Sequence, residues 1–138
     1  MRDALVGVIR QRYGAQPPYL RLSQAAPGQA DLTSRVIAAR GARALQQLAH
    51  AAQLGCAPWL TGVYDFDAPH APRMNHWLAQ VPHGSLLMCH PAASVQSGDA
   101  IGAARTREYA HLRSDDFARQ LRTQAVILVR GAALYKAD

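Results

Sequence analysis

Apolar positions set a clear rhythm along the chain. Between Arg2 and Tyr13, Leu5, Val8 and Ile9 recur at helical spacing, and Gly14 followed by Pro17 and Pro18 stops the pattern. Tyr19 to Leu22 is a short apolar piece between prolines and the loop SQAAPGQ, which predicts a strand. The longest helical pattern runs from Asp31 to Leu54. Leu32, Val36, Ala39, Leu45, Leu48 and Ala52 lie near one face, Asp31 or Thr33 is placed to cap the start, and Gly55 to end it. Gly41 inside it costs about 1 kcal/mol relative to Ala, so a break there is expected.

The second half repeats the alternation. Thr61 to Tyr64 predicts a strand, the Pro-bearing stretch DFDAPHAPR (65–73) a loop, and Met74 to Val81 a short helix. Ser85 to Met88 is an apolar run without polar alternation, as in a parallel strand covered on both faces. Ile101 to Leu112 is helical in period. Ser114 opens another helix with Asp115 and Asp116 in its first turn, where their charge complements the helix dipole, and Phe117 and Leu121 on its buried side. Ala125 to Val129 closes the series as a β-branched strand. Strands alternating with helices predict an α/β fold with a mainly parallel sheet and right-handed crossovers.

The 138 residues, 49% hydrophobic and 17% charged, suit a single folded domain. A net charge of +6 invites a polyanionic partner, but the arginines are scattered, Lys136 is the sole lysine, and no basic run is interleaved with aromatics. Nucleic-acid binding is therefore not expected. Cys56 and Cys89 match no zinc spacing and no disulfide framework, which favours a reducing cytoplasm. No apolar stretch is long enough for a membrane span or a signal peptide.

In a parallel α/β fold the ligand site lies at the C-terminal strand ends. Arg21, Asp65 and His90 fall at such ends, and a cation, a carboxylate and an imidazole meeting in a cleft can bind an anion or move a proton near pH 7. Each has a plainer alternative: Arg21 as a surface ion pair, Asp65 as a turn former, His90 as a strand-end residue bonding local backbone. His76 and His83, even joined by Cys89 or His90, fit no common zinc pattern, so no metal site is expected. His50, His70 and His111 read as solvated. Cys89 beside His90 reads as a buried, inert thiol, since strand neighbours face opposite sides.

A set of motifs then carries a family likeness. LLMCHPA at 86–92, Asp99 to Ile101, AARTREYAHLRSDDF at 103–117 and VILVRG at 126–131 resemble the C-terminal region of YdjC-like carbohydrate deacetylases. There a strand ending in Cys-His-Pro precedes an Arg-x-x-Glu helix and a Leu-x-Ser-x-x-Phe turn. PYLRL at 18–22, SRVIAARGARAL at 34–45 and GVYDF at 62–66 are similar to the HpnK-type branch linked to hopanoid biosynthesis.

The resemblance implies the C-terminal half of a distorted (β/α) barrel that hydrolyses an N-acetyl group from a sugar, with a divalent metal activating water and polarising the carbonyl. It implies a catalytic role for His90 and a substrate contact by Arg21, while Asp65 stands as a substrate-contact candidate from its strand-end position alone. In the family the metal is held by an Asp of an Asp-Asp pair and two His, and this chain has no Asp-Asp-x-Gly near its start and no His-x-His. The expectation is a partial domain that lacks the metal-binding half, holds no cofactor alone, and self-associates as a homo-oligomer to cover a bare sheet edge.

Overall fold

The computed structural model describes residues 2–14, 16–28 and 41–136, which fall into two compact units. Of the long helix expected from Asp31, the part before Gly41 lies outside the described residues. The architecture is α/β, with helices and short parallel strands.

The first unit comprises residues 1–61, 82–86 and 129–138. Helix α1 (Arg2–Tyr13) turns Val6 and Ile9 inward, whereas Leu5 and Val8 are exposed, so the buried face is rotated from the expected one. Strand β1 (Leu20–Arg21) pairs in parallel with β2 (Cys56–Ala57), Leu20 opposite Cys56 and Arg21 opposite Ala57. β2 was not foreseen because CA is too short to show a period. A further parallel bridge joins Ala25 to Leu60.

Helix α2 (Ala42–Ala51) begins directly after Gly41, whose φ of 128° is open to a residue without a side chain. Its other end departs from expectation. Gln53, not Gly55, takes the left-handed conformation (φ 54°); its N–H donates to the His50 carbonyl and the Leu54 N–H to that of Ala49, which satisfies the last turn. Gly55 instead lets the Tyr135 carbonyl approach closer than any Cβ would permit. Ile9, Leu20, Ala49 and Leu54 form the core, with Val6, Leu45, Ala52 and Cys56 against it.

Strand β3 is Trp59–Thr61 rather than Thr61–Tyr64, and it bonds to β4 (Ser85–Leu87), whose first two residues belong to this unit. Gly62, at φ 87°, turns the chain out of the strand early.

The second unit holds residues 62–81 and 87–128. Helix α3 (His70–Gln80) starts four residues before the expected Met74. Pro72 falls in its first turn, where the missing N–H has no intrahelical partner to lose, so the prolines that suggested a loop are compatible with a helix start. α3 contributes Met74, Trp77 and Leu78 to a core completed by Tyr64, Leu87, Cys89, Leu112, Phe117, Leu121 and Val126.

Helices α4 (Gly102–Leu112) and α5 (Asp115–Thr123) follow as expected. The Ser114 hydroxyl accepts the Phe117 N–H at 3.3 Å and so caps α5. The closing strand expected over Ala125–Val129 is not formed. Ala125, at φ 51°, ends α5, and the Val126 N–H is spent on the Leu121 carbonyl. Residues 126–130 join no sheet among the described residues, and Ile127, Leu128 and Val129 are exposed. A last short helix, α6 (Gly131–Leu134), belongs to the first unit. No helix among the described residues is long and apolar enough to cross a membrane.

Candidate functional site

In the second unit Tyr64, His70, Cys89 and His90 gather around one buried carboxylate. Glu108 lies at the middle of α4 and is 0% exposed. Burying a carboxylate demands partners, because its desolvation is otherwise uncompensated. Tyr64 Oη donates to Glu108 Oε1 at 2.7 Å, and the His90 backbone N–H donates to Oε2. His90 Nδ1 lies 3.8 Å from Oε1, too long for a direct bond, and has no other hydrogen-bond partner. The rest of the His90 ring meets the edge of Phe66, with centroids 5.2 Å apart.

His90 is thus held by its backbone while its ring keeps partial access, the side chain being 30% exposed. The adjacent loop is braced as well. Arg107 Nη2 donates to the Phe66 carbonyl at 2.7 Å, and Gly62 packs against the backbone of Met88, two residues before His90. The Tyr64 phenol is pushed up, first by burial and then by its bond to Glu108.

A second layer consists of two histidines. His70, the first residue of α3, is 3% exposed, and its Nδ1 lies 3.0 Å from Nδ1 of His111, one turn beyond Glu108 on α4. One ring must donate and the other accept, so at most one of the two facing atoms carries a proton. Both imidazoles are lowered from their ordinary value of 6.5, chiefly by burial. The expectation that these two residues are solvated is therefore corrected: the apolar positions around them fold inward and take them along.

Of the residues singled out from the sequence, Asp65 and His90 share this unit. Asp65 precedes Phe66, is exposed, and pairs with Arg73 of α3 at 3.1 Å. Arg21 is an exposed residue of the first unit, on β1. The argument that Cys89 and His90 face opposite ways does not hold, because β4 ends at Leu87 and both residues lie beyond it, next to Glu108. Sequence reasoning passed over Glu108 as an individual residue. Its signal was present in the Arg-x-x-Glu spacing of Arg105 and Glu108 and in the position of His111 three residues on, the neighbour spacing of a helix face.

The surroundings of Cys89 disfavour a bare thiolate. Burial, helped by the Glu108 charge, pushes the thiol up to about 11, so it stays protonated at neutral pH. Cys56 and Cys89 are both free.

A family model described as YdjC-like protein matches residues 1–123. No curated protein and no solved structure gives a significant match to the chain.

Proposed function

Because this chain belongs to the YdjC-like family, a match that spans most of its length and implies a carbohydrate deacetylase-like function, we propose that it serves the hydrolysis of an N-acetyl group on a sugar. Water adds to the acetyl carbonyl, the carbon–nitrogen bond breaks, acetate leaves, and the amine takes up a proton. His90 is the group we assign to that last proton transfer. The observation that carries the assignment is its double tether: its backbone N–H is fixed on buried Glu108 and its ring is pinned against Phe66, with part of the imidazole still reachable. A positioned imidazole suits a general acid, because histidine is the side chain most often used to pass a proton to a leaving group.

Asp65, on the same loop as Phe66, is the group we assign to sugar hydroxyls in this unit. The finer placement in the hopanoid-linked branch rests on PYLRL, SRVIAARGARAL and GVYDF.

The family's activity requires a divalent metal, and the residues of this chain do not fit that ligand set. Its one Asp-Asp pair, Asp115 and Asp116, heads α5, with Asp116 exposed and paired with Arg119, and the sequence contains no His-x-His. Metal-dependent activity accordingly calls for ligands from another polypeptide segment.

Acetate release from N-acetylglucosamine oligomers tests this reading, with divalent metal present and a family segment bearing the Asp-Asp and His-x-His motifs supplied in trans. Release is expected only with that segment, and His90→Ala should lower it about 100-fold, the lower range for a general acid. Equal rates for wild type and His90→Ala would remove His90 from the chemistry.

A second reading is association without catalysis. Ile127, Leu128 and Val129 form a consecutive apolar run, 83%, 66% and 58% exposed, with the β-branched character of an edge strand. Pairing of this run between copies would give a homodimer. Sedimentation of wild type against Ile127→Lys distinguishes the two: a dimer that dissociates in the variant supports it, and a wild-type monomer at high concentration refutes it.

A further inference from the structure

We propose that His70, Cys89 and Glu108 form a binding site for one thiophilic divalent cation of the zinc class. The three come from the start of α3, the loop after β4 and the middle of α4, and one donor atom from each lies within 4.8 Å of the others. Ligands to a single tetrahedral ion, bound at about 2.0–2.3 Å, sit about 3.5 Å apart, so an inward movement of about 1 Å closes the set. Such an adjustment is within reach of side-chain torsions.

The electrostatics call for a cation at this point. Glu108 is fully buried, and its two hydrogen-bond donors, the Tyr64 hydroxyl and the His90 N–H, are both neutral. The nearby guanidinium groups are engaged elsewhere, Arg73 with Asp65 and Arg107 with the Phe66 carbonyl. A carboxylate accepts about four hydrogen bonds or metal contacts, so the existing donors leave room for an ion. His70 adds a second sign: it is 3% exposed, its Nδ1 faces His111, and its Nε2 is buried without a hydrogen bond. A ligating imidazole normally uses its other nitrogen for an orienting partner, which is the part His111 plays here.

The donor set of one sulfur, one imidazole and one carboxylate selects zinc or cobalt over magnesium or calcium, which take oxygen ligands. Binding replaces the Cys89 thiol proton by the metal and releases that proton to solvent, so affinity should rise with pH. The site shares no residue with the Asp-Asp and His-x-His ligands of the deacetylase reaction and does not rest on that reading.

Titration of the chain with cobalt(II) is the test. One equivalent should bind with a thiolate-to-cobalt charge-transfer band in the near ultraviolet. Cys89→Ser should abolish the band and weaken binding at least tenfold, His70→Gln should weaken it comparably, and Cys56→Ser should change neither. Because Cys89→Ser nearly preserves volume, unchanged far-ultraviolet circular dichroism will show that its fold is intact. The absence of a band in wild type, its survival in Cys89→Ser, or its loss in Cys56→Ser would overturn the proposal.

Discussion

The Glu108 carboxylate accepts the backbone N–H of His90 across a separation of 18 residues, and thereby ties the loop after β4 to the middle of α4. It holds the Tyr64 hydroxyl with its other oxygen. Truncation would leave two donors without the buried acceptor they share. Each such orphan costs about 1–3 kcal/mol, so Glu108→Ala should destabilise the chain by about 3 kcal/mol in urea unfolding. Glu108→Gln, which keeps one acceptor oxygen, should lose about half as much. A loss below about 1 kcal/mol for the alanine variant would mean that the carboxylate is not the clamp described here.

The His70–His111 pair makes stability depend on pH. Both rings are lowered in the folded chain from 6.5, the value expected once the chain unfolds, so the unfolded state binds protons more readily between the two values. Their contribution is complete above pH 6.5. It is lost as pH falls from there through the lowered folded values, below which it no longer changes. Glu108 opposes the shift at His70, while the neighbouring His111 adds to it. The urea midpoint of wild type should fall between pH 7.5 and 5.5, and His70→Gln should flatten that fall; an equally steep fall in the variant would assign it to other groups.

What the sequence revealed depended on how local the cause was. Ser114 ahead of two aspartates is a complete helix-start signal within three residues, and α5 begins there. Gly41 likewise stands immediately before the start of α2. Pro72 misled because a proline looks the same in a loop and in the first turn of a helix, and only the packing of Met74 and Trp77 decides for α3. The β-branched run from Val126 to Val129 misled for the opposite reason: its composition suits a strand, but a strand also needs a partner, and none of the described residues offers one. At the candidate site, His90 was visible through its position after an apolar strand. The burial of Glu108 and His70 was not, since both depend on contacts with residues 18 to 44 positions away.

The Ser114 cap has a measurable value. Its hydroxyl accepts the Phe117 N–H, and Phe117 packs into the core of the same unit. Ser114→Ala should cost about 1 kcal/mol, and Ser114→Asp, which restores an acceptor, should recover most of it. If the two variants unfold at the same urea concentration, the capping bond contributes nothing.

Gly62 decides how close β3's exit can come to the segment that delivers His90. Its φ of 87° is strained for any residue with a side chain. A Cβ at this position would also overlap the Met88 carbonyl oxygen and lie 2.9 Å from the Met88 nitrogen. Both obstacles are backbone, so no rotamer change relieves them. Gly98 provides the comparison, because it has a similar φ of 79° but open space where its Cβ would be. Gly98→Ala should therefore cost only the conformational strain, about 1–2 kcal/mol, whereas Gly62→Ala should cost distinctly more, about 3 kcal/mol or above. It should also displace Cys89 and His90 from Glu108, visible as a changed amide shift for His90 in a nitrogen–proton correlation spectrum. Equal losses at the two glycines, with the His90 amide unmoved, would show that the close approach at Met88 is not what holds this loop in place.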